Sequence, residues 1–451
     1  MFKKFRKFIC AAALAGVSFH AQAQSGESYS FSLQQAVDFA LQNHASVKNA
    51  YIDREIAHRK VNELIGVGLP QIEAGFDLQK FLDIPTTFIP GEFFDEESGT
   101  FIPVQFGQPY NATAGLTATQ LVFDGSYLVG VQASKTYEEL SEKTYKQTKI
   151  ETAVAVSKAY YNVLVNAERM ALLDANVKRV SKLKDDTKAL YENGFVEKID
   201  NDRIEVTYNN LVVEKNKTGK LLGIAKDYLK FQMGMNPDSA LELTDKLENI
   251  QFDEAIPVES KSDFNNRIEY SILQTSKRLY ELDLKRNRFQ FLPSLVAYGS
   301  FSYIASRNEF NIFNPDFRWY PTSIIGAKIT LPIFDGLQKH QRIQQSKLNL
   351  EKINNNFKML EQGITLETKT AQTHLQNAIE SLETQRKNRA LAEEVVRVSK
   401  VKYDQGVGSN LEVLNAETSL KEAETNYYSA LYDALIAKTD YAKARGTVIK
   451  N

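Results

Sequence analysis

The sequence predicts a mixed α and β fold with an internal two-fold repeat, each copy joining a pair of strands to long coiled-coil helices. Three observations carry this. Phe123-Asp124-Gly125 and Phe334-Asp335-Gly336 each open a long proline-free stretch, ending at Tyr191-Glu192-Asn193-Gly194 and Tyr403-Asp404-Gln405-Gly406, so the motifs recur at offsets of 211 and 212 residues. All eleven prolines fall in three places, Pro70 to Pro109, Pro237 with Pro257, and Pro293 to Pro332. Each unit is also preceded by a proline-led alternating segment, Leu69-Pro70-Gln71-Ile72 in the first and Leu292-Pro293-Ser294-Leu295 in the second.

The N-terminus comes first. Lys3, Lys4, Arg6 and Lys7, an apolar stretch from Phe8 to Phe19 and the small-residue site Ala21-Gln22-Ala23 read as a secretory signal over residues 1–23. The single cysteine, Cys10, lies inside it and lacks the small and aliphatic residues that precede a lipoprotein cysteine, so neither disulfides nor a lipid anchor are expected. Removing the four basic residues leaves 51 basic against 56 acidic side chains, a net charge of −5 that gives no electrostatic case for nucleic acid. After the signal, no apolar run approaches the roughly 20 residues of a membrane-spanning helix. A chain of this kind crosses a membrane with strands or not at all.

Residues 24–235 form the first repeat, 236–264 the connecting segment, with Asn236-Pro237 and Ile256-Pro257, and 265–451 the second repeat. Ser32 with Gln35 predicts a capping box opening a helix from Ser32 to Ile65, and Asp124 and Asp335 are expected to cap the long helices. Proline costs about 3 kcal/mol inside a helix, so the proline-free tracts Tyr110 to Asn236 and Ile333 to Asn451 are where long helices run. Within them Val129, Ala133, Tyr137, Leu140, Ile150, Val154, Tyr161, Leu164, Leu172, Val180, Leu183 and Leu190 mark one coiled-coil seam; Leu350, Ile353, Phe357, Leu360, Ile364, Ala371, Leu375, Ala378 and Leu382 mark another. A helix from Ser126 to Asn193 would be about 100 Å long at 1.5 Å per residue. Ser32 to Ile65 and Val196 to Met235 are each roughly half that and match it end to end. Gly219 and Gly223 sit among lysines and read as close helix packing rather than a membrane dimer motif.

The strands alternate. Ile72, Ala74, Phe76 and Leu78 oppose Gln71, Glu73, Asp77 and Gln79, and Tyr110 to Ala118 sets alanines and Leu116 against Asn111, Thr113 and Thr117. In the second repeat Leu295, Ala297, Phe301 and Tyr303 oppose Ser294, Tyr298, Ser300 and Ser302, and Ile325, Ala327, Ile329 and Leu331 oppose Gly326, Lys328 and Thr330. These have the length of membrane barrel staves, apolar outward and polar inward. Aromatics, among them Phe81, Phe88, Phe93, Phe94, Phe101, Phe106, Phe310, Phe313, Phe317, Trp319 and Tyr320, crowd their ends and loops as a girdle would. Four strands cannot close a barrel, for which about eight is the minimum, so several chains must share one. Two chains fill the interior with side chains, whereas three give twelve strands and room for a pore. A conduit therefore implies a trimer.

Ser32-Leu33-Gln34-Gln35-Ala36-Val37 with Ala40-Leu41 and Asn43, Leu331-Pro332-Ile333-Phe334-Asp335-Gly336, and Tyr403-x-x-Gly406 followed by Leu411-Glu412-Val413-Leu414-Asn415-Ala416-Glu417 resemble the TolC family of outer-membrane efflux and secretion ducts over essentially the whole mature length. The resemblance implies a homotrimer in a Gram-negative outer membrane, in contact with its lipid, whose twelve-stranded barrel continues into a periplasmic α-helical barrel. It implies a periplasmic adaptor (membrane fusion) protein and an inner-membrane transporter as partners, no cofactor, and an entrance at the turns of Gly194 and Gly406, where the adaptor docks and Tyr191 and Tyr403 pack. Acidic residues after the second turn form a cation-selective ring in the family; the matching positions are Glu412 and Asn415, so three carboxylates per trimer stand where six are usual. As a plain alternative, Glu412 is a solvated residue favoured by the helix dipole. The family's gating arginine is replaced by Gly408, leaving Asp200, Asp202 and Arg203 of the first turn as candidate gating links.

Nothing in the sequence suggests an enzyme. His44, His58, His340 and His374 lack metal-ligand spacing, and there is no phosphate loop or nucleophile motif. The leading expectation is a passive exit duct of a tripartite efflux pump or a type I secretion system; a poreless periplasmic coiled-coil scaffold is the alternative, and it leaves the four strands unexplained.

Overall fold

A computed structural model describes residues 28–94, 97–247, 264–316 and 318–449. The expected signal with Cys10, the Pro257 stretch and Phe317 lie outside the described residues. The chain folds as two compact units, one from Met1–His44, Ala155–Asp253 and Ser381–Leu435, the other from Ala45–Val154, Glu254–Glu380 and Ile436–Asn451. Each unit draws on both sequence repeats, so the packing cuts across the duplication.

The second of these units holds the sheet. Strands β2 (Gln71–Lys80), β5 (Tyr110–Phe123), β7 (Ser294–Arg307) and β8 (Tyr320–Thr330) form one antiparallel sheet in the order β2-β5-β7-β8, leaving β2 and β8 as open edges. The register decides its chemistry. Ile72, Ala74, Phe76 and Leu78 stand opposite Ala118, Leu116, Ala114 and Ala112; Leu116 and Ala114 stand opposite Phe301 and Tyr303; Leu295, Ala297 and Gly299 stand opposite Ile329, Ala327 and Ile325. Strand side chains alternate between faces, so all four apolar sets share one face and Glu73, Asp77, Thr117, Ser300 and Lys328 take the other. Ile325, Ile329, Ile72 and Phe76 are exposed there. At one end of the sheet, Phe313 stacks on Phe76 at 6.1 Å and Phe310 lies 5.7 Å from Tyr110.

The segment between β2 and β5 carries a second, small hairpin, β3 (Thr86–Pro90) with β4 (Phe101–Gln105), across a 3-10 turn at Gly91–Phe94.

Helix α3 (Gly125–Glu192) starts where expected: Asp124 Oδ1 accepts the Tyr127 N–H at 2.7 Å. Helix α6 (Gln338–Asp404) starts later than the repeat predicts, because Gly336 and Leu337 both have positive φ, 65° and 68°. Asp335 still reaches its first turn, accepting the Lys339 N–H at 3.0 Å. Leu337 is the one described non-glycine residue with positive φ, a conformation costing an L-residue about 1 kcal/mol.

In the helices of this unit, Val129 and Val154 of α3 and Ile353, Ile364, Ala371 and Leu375 of α6 are buried, as the seams predict, and so are Val47, Ala57 and Val61 of α2 (Ala45–Val67). Tyr137 of the first seam is instead 50% exposed. A single chain covers only one flank of that helix. Helix α5 (Ile268–Phe289) is headed by buried Arg267, which donates to Glu269, to Glu367 Oε2 at 2.8 Å and to the Ala444 carbonyl at 2.9 Å. Next to it Gly446 has φ 72°, and a Cβ there would lie 2.3 Å from the Asn266 carbonyl oxygen. Gly446→Ala is therefore expected to destabilise by about 1–3 kcal/mol. The melting temperature in detergent checks this against Gly363→Ala, a helical position with open space where alanine should be neutral or better.

In the first unit, α1 (Leu33–Asn43) has the predicted capping box, Ser32 N–H to Gln35 Oε1 at 2.9 Å and Gln35 N–H to Ser32 Oγ at 3.4 Å. The single helix expected from Ser32 to Ile65 is two. His44 is extended, at ψ 131°, and α2 begins afresh at Ala45. The break is imposed by packing: Gly234, the left-handed C-cap of α4 (Lys198–Met233), sits so close that its Cβ would be 2.8 Å from the Asn43 carbonyl oxygen. Strands β1 (Ser28–Phe31) and β6 (Ala240–Leu243) pair in parallel, giving the connecting segment a strand of its own. Asp245 anchors the connecting segment, accepting from the Leu33 N–H at 2.8 Å and the Tyr160 hydroxyl at 3.0 Å. Beneath lie Ala36, Ala40, Val156, Leu229, Met233 and Leu435.

Candidate functional site: the paired helical turns

Both helix-to-helix turns lie in the first unit. After α3 the chain turns through Gly194, φ 80°, with Gly194 N–H bonded to the Tyr191 carbonyl at 2.9 Å and Phe195 N–H to Leu190 at 2.9 Å. After α6 it turns through Gly406, φ 73°, with Gly406 N–H bonded to Tyr403 at 2.9 Å and Val407 N–H to Lys402 at 3.0 Å. The same helix-ending motif closes both copies, and only glycine takes this conformation without strain. The residue after each glycine, Phe195 or Val407, is exposed. Each turn thus presents an apolar tip.

The predicted site residues are placed differently by the two turns. Asp200 and Arg203, in the first turns of α4, pair with each other at 3.8 Å, and Asp202 beside them is exposed. On the second turn Glu412 and Asn415 are both exposed near the start of α7 (Asn410–Arg445). The Glu412 N–H is capped by Ser409 Oγ at 3.1 Å. Tyr191 is 39% exposed, whereas the hydroxyl of Tyr403 is buried and has no partner among the described residues. Thr187 Oγ1 and Asn410 Oδ1 are in the same state. Gly408 is held tightly: its N–H bonds Lys402, and a Cβ would fall 2.9 Å from Lys402 Cβ. A side chain there requires a looser turn.

Behind the turns runs a buried polar chain between α3 and α7. Arg179 pairs with Glu417 at 3.1 Å and donates to Asn176 Oδ1 at 2.7 Å, and Asn176 donates to Glu424 Oε2 at 2.8 Å. Glu417, Glu424 and Asn176 are buried. Burial pushes both carboxyls above their ordinary value, with Arg179 opposing the shift at Glu417 and Asn176 opposing it at Glu424. Further links join α3 to α4, where Asp174 accepts from Lys178 and Lys215, and α4 to α7, where Glu214 meets Lys421 and also Arg169 of α3. The two lysines hold Asp174 down at about 2. Among the described residues no carboxylate, histidine or cysteine cluster could hold a metal, and no helix is long and apolar enough to cross a membrane.

A sheet apolar on one face, open at both edges and joined to helices of 68 and 67 residues defines a class: one protomer of a membrane channel that crosses the bilayer on strands. The family model described as "Outer membrane efflux protein" matches residues 270–447. The chain is 21% identical to Outer membrane protein TolC of Escherichia coli (strain K12) over 456 aligned residues, 99% of this chain and 87% of TolC. Among solved structures it is similar to the open-state MtrE outer membrane channel of Neisseria gonorrhoeae, with a TM-score of 0.73 at 18% identity covering 92% of this chain and 88% of MtrE. It is also similar to the Campylobacter jejuni CmeC outer membrane channel, with a TM-score of 0.70 at 17% identity covering 92% and 86%. Residues 270–447 thus match the outer membrane efflux protein family, and the chain as a whole is similar to TolC. It is a passive exit duct of the Gram-negative outer membrane with a large periplasmic helical portion, and the poreless scaffold falls away.

Proposed function

We propose that three copies close one twelve-stranded barrel and that the paired turns form its periplasmic entrance, at which a periplasmic adaptor and an inner-membrane transporter complete a tripartite efflux assembly. The observation that carries this is the register of the sheet. Four strands with one continuous apolar face and two unpaired edges satisfy their backbone in lipid only by pairing β2 of one copy with β8 of the next. Three copies are the smallest number that leaves a lumen.

At the entrance, Glu412 supplies one exposed carboxylate per chain, and three of them converging on an axis attract cations. Asn415 adds a neutral amide. The first-turn gating links, Asp200, Asp202 and Arg203, are free to exchange their internal pair for one across the turn as the entrance opens. Thr187, Tyr403 and Asn410 bring to these turns buried polar atoms that have no hydrogen-bond partner among the described residues. Phe195 and Val407, at the tips marked by Gly194 and Gly406, give the adaptor an apolar foothold beside Tyr191 and Tyr403.

Conductance in a planar bilayer tests the reading. Purified protein should show discrete cation-selective steps, and Glu412→Gln should shift the reversal potential toward zero across a salt gradient with the step size largely retained. Unchanged selectivity in the variant would remove Glu412 from the pore axis.

A further inference from the structure

We infer that the second repeat carries a basic collar where helix meets sheet, and that it binds the anionic headgroups of phospholipids in the leaflet at that end of the strands. The inference rests on the sheet being the membrane-spanning element.

The two copies of the repeat differ sharply here. The ten residues before β2, 61–70, hold one charged side chain, Glu63, whereas the ten before β7, 284–293, hold Lys285, Arg286 and Arg288 and no acid. Of the ten residues beginning at the repeated aspartate, 124–133 have no basic side chain, and 335–344 have Lys339, His340 and Arg342.

Two of the acids nearby are occupied. Asp283 pairs with Arg286 at 3.9 Å and accepts from Ser346 and Asn287, and Asp335 caps α6 through the Lys339 N–H. Arg286 keeps that long pair, whereas Lys285 lies 5.5 Å from the Phe289 ring while donating to Gln132 Oε1 at 3.3 Å, and Lys339 lies 5.4 Å from the Phe291 ring. Phe291 and Leu292, just before β7, and Ile333, Phe334 and Leu337, just after β8, are exposed. Apolar and aromatic surface topped by cations is the composition that fits acyl chains below and phosphates above. Zwitterionic headgroups offer such cations no net charge.

The test uses the full-length protein, delipidated in a neutral detergent and followed by native mass spectrometry during titration with phosphatidylglycerol or phosphatidylcholine. Phosphatidylglycerol should bind at least tenfold tighter. Lys285→Gln/Arg288→Gln/Lys339→Gln should abolish the preference, and Arg59→Gln/Lys60→Gln, in the first repeat, should retain it. Equal binding of the two lipids, or an unaltered preference in the triple variant, overturns the collar. Competition by millimolar inorganic phosphate would assign a phosphate site and overturn the lipid assignment. Carbonate extraction of the same proteins from membranes separates the two readings: wild type that washes off sinks the spanning sheet, whereas wild type that stays inserted without a lipid preference sinks the collar alone.

Discussion

Arginine in place of Ile325 is expected to remove most of the chain from the detergent-extractable membrane fraction. Ile325 is 92% exposed on β8, on the face it shares with Ile329, Ala327, Phe301 and Leu116. A cation facing lipid near the bilayer midplane costs about 2–4 kcal/mol. Three copies in one barrel carry that cost three times, against a folding free energy of ordinarily 5–15 kcal/mol for a domain. The informative control is Thr117→Arg. Thr117 lies on the opposite face, in register with Glu73, where an arginine meets a carboxylate and water instead of lipid. Quantifying both variants in carbonate-washed, detergent-extracted membranes decides the matter. Equal loss, or equal tolerance, would mean that the apolar face is not the lipid face.

Much of this was legible in the sequence for a physical reason. A strand's period of two and a helix's period of 3.6 are local properties, so the four strands, their faces and the helical seams could be written down from neighbouring residues alone. What needed partners far along the chain could not. Nothing in Asn43-His44-Ala45 marks a break, since no glycine or proline stands there; it becomes intelligible only when Gly234 closes on Asn43. The four-residue strands β1 and β6 are too short to show a pattern, and each exists only through the other. The hairpin Thr86–Pro90 with Phe101–Gln105 was hidden by its prolines, which read as breakers; Pro90 ends its strand and Pro103 lies in a ladder of only two strands, where proline is tolerated. At the turns, the left-handed glycines were readable. Ser409-x-x-Glu412 was a readable cap signature as well, and the exposed tips Phe195 and Val407 followed the glycines openly in both copies. The Arg179 network was beyond reach: Arg179 and Glu417 are 238 residues apart and belong to different repeats.

That network yields the second large effect. Replacing Arg179 by methionine leaves Glu417, only 8% exposed, without its cation, and removing one partner of a buried pair costs about 3–5 kcal/mol. The lower end is expected, because the guanidinium itself reaches water. The sign of the pH dependence discriminates this mechanism from lost packing. Glu417 and Glu424 have folded-state values raised above the unfolded carboxylate by burial, so the native state holds protons that the unfolded chain releases. Stability from these two groups is fully present below the unfolded value, falls as pH rises through the raised folded values, and is level above them. Arg179 opposes the rise at Glu417, with Lys400 assisting, and also at Glu424, where Asn176 and Arg389 act with it and Glu393 acts against it. Without Arg179 the Glu417 carboxyl moves further up, the falling window widens, and the deficit against wild type grows between pH 5 and pH 8. Glu269, held down by Arg267 in the other unit, loses its contribution in the opposite direction, as pH falls, and does so equally in both proteins. Guanidinium midpoints read by far-ultraviolet circular dichroism in detergent at the two pH values supply the comparison. Arg179→Met/Glu417→Gln should recover most of the loss at pH 8, since the amide carries no charge to strand. A deficit independent of pH, or a double variant no better than the single one, would show that Arg179 acts by filling space between α3 and α7.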